Sequence, residues 1–169
     1  MKVVIAEKPS VARDIARILN CNQKKTGYIE GNGYQITWAL GHLVQLVYPE
    51  EYDKKFKNWN MSDLPIIPST FKKELVKNKG AQDQYKVIES LLKNNAVNEV
   101  VCATDAGREG ELIFRLIYDQ SQCKAPIKRL WISSQTDQAI KEGFDSLKPG
   151  EEYSPLYDSA LSRSEADWL

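Results

Sequence analysis

Residues 99–115, EVVCATDAGREGELIFR, carry two periodicities back to back. EVVCAT is a short apolar run with β-branched residues, the pattern of a strand covered on both faces. After Arg108 the apolar positions become Leu112, Ile113, Leu116 and Ile117, which share one side of a helix. Asp105, Arg108, Glu109 and Glu111 lie in and just after the junction. The stretch therefore predicts a strand over 99–104, an acidic turn and a helix over 108–120.

The same unit opens the chain. KVVIA (2–6) reads as a buried strand, EKPS as a turn and VARDIARILN as a helix. Pro9 suits the first helical turn, and Val11, Ile15, Ile18 and Leu19 recur at helical spacing. Further on, AQDQYKVIESLLKNN (81–95) predicts a helix, IKRLWIS (127–133) a strand and TDQAIKEGFDSL (136–147) a helix stopped by Lys148-Pro149-Gly150. This alternation predicts an α/β fold with a parallel sheet and helices on its faces. YIEGNGYQITWAL (28–40) reads as a hairpin turning at Gly31-Asn32-Gly33. Residues 47–70, with Pro49, Pro65 and Pro68, form an irregular stretch long enough to be lid-like. The expected organisation is one domain over 1–150, with the hairpin and long loop as an insertion at about 28–79. A helix over 154–169, with no glycine or proline stop, marks 151–169 as the start of a further helical domain.

With 169 residues, 42% of them hydrophobic, the chain can bury one good core. It has 23 basic and 23 acidic residues, so its net charge gives no argument for a polyanionic partner. Lys54 to Lys79 is an exception, with seven lysines against Asp63 and Glu74. That segment reads either as a solvated surface or as a polyanion patch. Cys21, Cys102 and Cys123 are scattered and form no CxxC pair, which argues against a zinc ribbon. MKVVIAEKPS is too briefly apolar for a signal peptide, and nothing approaches a membrane span. A reducing cytoplasm, with no membrane partner, is the expected setting.

In parallel sheets, ligands bind beyond the carboxyl ends of the strands. Glu7 follows one predicted strand and Asp105 the other, so both acids are expected at one edge. Glu109 heads the apolar stripe of its helix and is expected to face that edge. Glu111 lies on a different face and reads as a solvated helix-start acid, since acids near a helix N-terminus favour its dipole. The dipole could account for the whole cluster. Hard carboxylates without a nearby His or Cys otherwise suit Mg²⁺, which can neutralise and orient a phosphoryl group. Lys8 and Arg108 flank the acids, either as structural ion-pair partners or as phosphate holders. The residues themselves point to metal-assisted phosphoryl chemistry and no further.

MKVVIAEKPSVARDIA, GHLVQL, CATDAGREGELIFR, RLWISSQTDQAIKEGF and SRSEADWL, in this order, resemble the N-terminal part of the bacterial DNA topoisomerase III family, which are type IA topoisomerases. The resemblance runs along essentially the whole chain. It implies a Toprim domain: a Rossmann-like parallel four-stranded sheet with helices on both faces. It implies Mg²⁺-dependent cleavage of one DNA strand through a 5′-phosphotyrosine, strand passage and religation. Glu7 would be a general acid–base near the scissile phosphate, Lys8 would position that phosphate and Arg108 would be a supporting cation. Asp105 and Glu109, with Glu7, would hold Mg²⁺. Single-stranded and negatively supercoiled DNA would be the substrates, contacted by Lys8, Arg163 and Trp59. None of the eight tyrosines sits in a version of the family's nucleophile motif. The nucleophile is thus expected in the remaining domains of the same chain, and this piece alone is expected to be inactive.

One departure stands at Gly107, where the family often has a second aspartate, and it implies a weaker or more water-rich metal site. His42, in the Gly-His-Leu turn, is expected to make a structural hydrogen bond. Trp38 and Trp131 lie in predicted strands and are expected in the core. A different Toprim enzyme, primase-like or a nuclease, and a non-catalytic Toprim DNA-binding module stay open as alternatives.

Overall fold

The computed structural model describes all 169 residues. Its strands are β1 (Lys2–Ala6), β2 (Gln23–Lys25), β3 (Tyr28–Gly31), β4 (Tyr34–Trp38), β5 (Val44–Leu46), β6 (Lys73–Leu75), β7 (Glu99–Ala103), β8 (Ile127–Arg129) and β9 (Lys148–Pro149). Its α-helices are α1 (Pro9–Ile18), α2 (Lys79–Leu92), α3 (Arg108–Ser121), α4 (Asp137–Asp145) and α5 (Ser154–Trp168).

The main sheet has seven strands in the order β2-β3-β4-β1-β7-β8-β9. Its centre, β4-β1-β7-β8, is parallel throughout, which is the expected Rossmann-like four-stranded core. Antiparallel neighbours extend it at both edges, with β3 and β2 beside β4 and β9 beside β8. The hairpin is therefore built into the sheet, its second strand lying directly against β1. Asn32 and Gly33 make its two-residue turn, between the paired Gly31 and Tyr34.

Successive residues of the central strands face opposite ways, as the strand period of two requires. Val3, Ile5, Val100 and Cys102 pack with Ile88 and Leu92 of α2, Phe114 and Ile117 of α3, and Ala160 of α5. Val4, Ala6, Val101 and Ala103 pack with Ala12 and Ile15 of α1 and Ile140 of α4. β1 and β7 bury every side chain but their first, so helices cover both faces. Helix starts follow the expected chemistry. Pro9 occupies the first turn of α1, Asn78 caps α2 through the Ala81 N–H, and Thr136 caps α4 through the Ala139 N–H.

The long segment is tied at its base, because β5 pairs antiparallel with β6 in a separate two-stranded sheet. Between them run three short 3-10 turns. The end of α5 docks on this segment: the Trp168 indole N–H donates to the Val47 carbonyl at 2.8 Å, and its ring meets Tyr52 and Phe71 edge-on. No helix is long and apolar enough to cross a membrane.

Of the two tryptophans expected in the core, Trp38 packs against it and Trp131 does not. Trp38, at the end of β4, is half-buried. Trp131 is 40% exposed, because β8 ends at Arg129 and the chain leaves the sheet two residues before the indole.

The buried thiols give a direct check on this core. Cys102 is fully enclosed, and burial pushes its pKa up to about 11. The raised value belongs to the folded state, so the neutral thiol favours folding below the ordinary thiol pKa. That contribution is lost as pH rises from there through about 11. At pH 8 a thiol reagent should find Cys123 quickly and Cys21 and Cys102 only on unfolding. Alkaline titration should lower the melting temperature of the wild type more than that of Cys102→Ala.

Candidate active site

Parallel pairing of β1 with β7 sets Ala6 opposite Ala103, so the chain leaves both strands at one sheet edge. Glu7 and Asp105 meet there. The Asp105 backbone N–H donates to Glu7 Oε1 at 3.3 Å. Burial raises the Glu7 pKa, and the Asp105 carboxylate raises it further, partly offset by that N–H and by Lys8. Lys8 precedes α1 as its capping residue, and its side chain shares a cleft with Asp105. Glu7, Lys8 and Asp105 are thus brought together.

Glu109 and Arg108 line a different cavity from the cleft of Lys8 and Asp105. Glu109 is largely exposed and pairs through Oε1 with His42 Nε2. His42 and Glu109 line a cavity of about 420 Å³ with Arg108, Arg163 and Asp167. The His42 contact is a side-chain pair with an acid of the predicted site. Arg163 and Asp167 form no ion pair although they share the cavity wall. No group of three or more His, Cys, Asp or Glu is arranged to hold a metal ion. Of the expected trio, Glu7 and Asp105 are joined directly, while Glu109 pairs with His42. Trp59 stands far out on the long segment, 87% exposed.

Glu111 corrects the expectation of a solvated acid, being only 1% exposed. Its Oε1 accepts from Arg115 Nε at 3.0 Å, and its Oε2 lies 3.0 Å from Arg129 Nε. Arg129 is fully enclosed. One of its terminal nitrogens donates to the carbonyls of Cys102, Thr104 and Leu130, and the other to the Asp105 carbonyl at 2.8 Å. Arg115 reaches the Gly150 carbonyl. The network clamps the backbone that presents Asp105. Charge pairing overrode the solvated reading, and one signal was available, the i, i+4 spacing of Glu111 and Arg115.

Close approach of α3 to the acidic turn depends on Gly110. A Cβ there would lie 2.1 Å from the Asp105 carbonyl oxygen. Thr104 reinforces the approach by donating from its hydroxyl to the Gly110 carbonyl at 2.7 Å.

Residues 2–135 match the Toprim domain family. The chain is 58% identical over 166 residues to the DNA topoisomerase 3 of Bacillus anthracis, covering 98% of this chain and 22% of that protein. It is 55% identical over 167 residues to the DNA topoisomerase 3 of Bacillus subtilis strain 168, covering 99% of this chain and 23% of that protein. It thus spans about a fifth of the length of these relatives. Among solved structures, full-length topoisomerase I from Thermotoga maritima superposes with a TM-score of 0.53 at 21% identity, over 87% of this chain and 21% of that one. That likeness concerns the fold.

Proposed function

Because the chain belongs to the Toprim family, with an acidic pair at the sheet edge, we propose that it supplies the metal- and phosphate-handling part of a type IA DNA topoisomerase of the topoisomerase III kind. The observation that carries this reading is the convergence of Glu7 and Asp105 beside Lys8. The substrates are single-stranded and negatively supercoiled DNA, in the cytoplasm. A tyrosine elsewhere in the intact protein attacks the phosphorus and forms the 5′-phosphotyrosine as the bond to the 3′ oxygen breaks and a 3′-hydroxyl leaves, and this chain prepares the phosphate for attack.

The donor set fits Mg²⁺. Two carboxylates meet at a partly open edge with no thiolate or imidazole on the pair, and Mg²⁺ favours one or two carboxylates with waters and phosphate oxygens. Glu7 and Asp105 would hold it, and when bound it supplies neutralising charge at a phosphoryl oxygen. Lys8 places a point charge on the phosphate. Glu7 would also move a proton at the 3′ ester oxygen. Arg108 and Arg163 offer cations to the strand in the cavity beside Glu109. Trp59 adds an exposed aromatic surface for a base.

The test is relaxation of negatively supercoiled plasmid by the intact protein. Relaxation should need Mg²⁺, and residues 1–169 alone should give none. An intact protein that is inert with Mg²⁺ on this substrate overturns the reading.

Gly107 gives a second expectation. A Cβ there meets nothing within 4 Å, but its φ of +156° is one that L side chains rarely adopt. Gly107→Asp should add a carboxylate beside the pair and tighten Mg²⁺ binding. It should also cost about 1–3 kcal/mol in backbone strain. Calorimetric Mg²⁺ titration and thermal melting would read the two effects separately.

A further inference from the structure

The cleft that holds Lys8 and Asp105 has a second wall, formed where the chain leaves β8. It is about 620 Å³ and is lined there by Trp131, Ile132, Ser133 and Gln135. Trp131 is among the largest exposed apolar side chains in the molecule, 40% open to solvent. It is also held in place. Tyr153 stacks on it with ring centroids 5.0 Å apart and planes 26° apart. The Arg129 guanidinium lies 5.0 Å from its ring.

These supports crowd one side of the indole. Arg129 is only 6.0 Å from the Tyr153 ring, whereas supports on opposite faces of the indole would stand much farther apart. The exposed part of the indole is therefore left toward the cleft. Arg129 itself is fixed by the four carbonyls that position the acidic turn. One buried side chain thus sets both the Asp105 backbone and the back of the Trp131 platform.

Resting on the function proposed above, we propose that Trp131 is a stacking platform for one nucleobase of the bound DNA strand, adjacent to the phosphate held by Lys8. An aromatic ring held before the ligand arrives loses little side-chain freedom on binding. Stacking accepts any base, because each has a π-face. Ser133 and Gln135 stand on the same wall with groups that can meet a base edge. The site reads position along the strand, not sequence.

The experiment measures binding of a fluorescent single-stranded oligonucleotide to the full-length protein in EDTA, so that no strand is cut. Wild type, Trp131→Ala and Trp131→Phe are compared on an all-thymine strand just long enough to fill the binding groove, which fixes the register, and on strands of that length with a single abasic site moved along it. Trp131→Ala should weaken binding about tenfold, and Trp131→Phe should stay within about threefold of wild type. One abasic position should weaken the wild type about as much as the alanine change does, and should have no further effect on Trp131→Ala. Thermal melting identifies any variant that has lost the fold, and the abasic scan on wild type needs no variant. Equal binding by wild type and Trp131→Ala, or an abasic scan without a sensitive position, overturns the platform alone. A wild type that binds no single-stranded DNA overturns the functional reading and the platform with it.

Discussion

Arg129→Met should destabilise the chain by about 3–5 kcal/mol, because it leaves the Glu111 carboxylate buried without one of its two cations. The same change strips donors from the carbonyls of Cys102, Thr104, Leu130 and Asp105. A chain of this size should lose roughly 10–15 °C in melting temperature. Arg129→Lys should recover little, since a single ammonium cannot span the positions of the guanidinium fork. Glu111→Gln should cost less than Arg129→Met, because both guanidinium groups it leaves still donate to backbone carbonyls. The double change Arg129→Met with Glu111→Leu should regain part of the loss, since an apolar pair carries no stranded charge. Urea denaturation of the four variants tests the ordering. A loss below about 1 kcal/mol for Arg129→Met would mean that the network is solvated in solution and does not fix the acidic turn.

The consequences reach the site, because the network lies directly beneath it. Asp105 is exposed, so no packing of its own side chain fixes it. What holds it is backbone: the Arg129 bond to its carbonyl, its N–H on Glu7, and the Thr104 hydroxyl on Gly110. An exposed carboxylate can thus be placed accurately by buried neighbours, as a two-carboxylate metal or phosphate site requires.

Much of this arrangement is legible in the sequence, for identifiable reasons. KVVIA and EVVCA are continuous apolar runs after their first residue, short and β-branched, as strands covered on both faces are. Their parallel pairing then places Glu7 beside Asp105. Sequence reasoning fails where tertiary contacts decide. The apolar stripe of α3 includes Glu109 by periodicity, yet that residue sits in the exposed first turn, and His42, distant in sequence, takes it. Glu111 is polar and falls off the stripe, yet it is buried because two arginines meet it. IKRLWIS looks like one strand, but pairing with β7 stops at Arg129, and Trp131 turns outward. The strands that close the long segment are three residues each, too short for a period to show.

Glu7→Gln in the intact protein should abolish plasmid relaxation, a fall of about 10²–10⁴-fold or more if Glu7 moves a proton in the rate-limiting step. The amide keeps the shape and can still accept the Asp105 N–H, so a loss of activity cannot be assigned to a collapsed site. The stability of the same variant makes the argument two-sided. Burial and Asp105 raise the Glu7 pKa in the folded state. Relative to the unfolded chain, its contribution is therefore fully present below the ordinary glutamate pKa and is lost as pH rises through the raised value. At pH 8 the ionised wild-type pair repels, whereas a neutral amide beside Asp105 does not. Glu7→Gln should accordingly melt with the wild type near pH 4 and at or above it at pH 8. An inactive variant that is also the more stable one at pH 8 marks Glu7 as a group kept for chemistry at a cost to the fold. A variant that melts well below wild type at pH 8 would make Glu7 a structural residue, and the loss of relaxation would then say nothing about proton transfer.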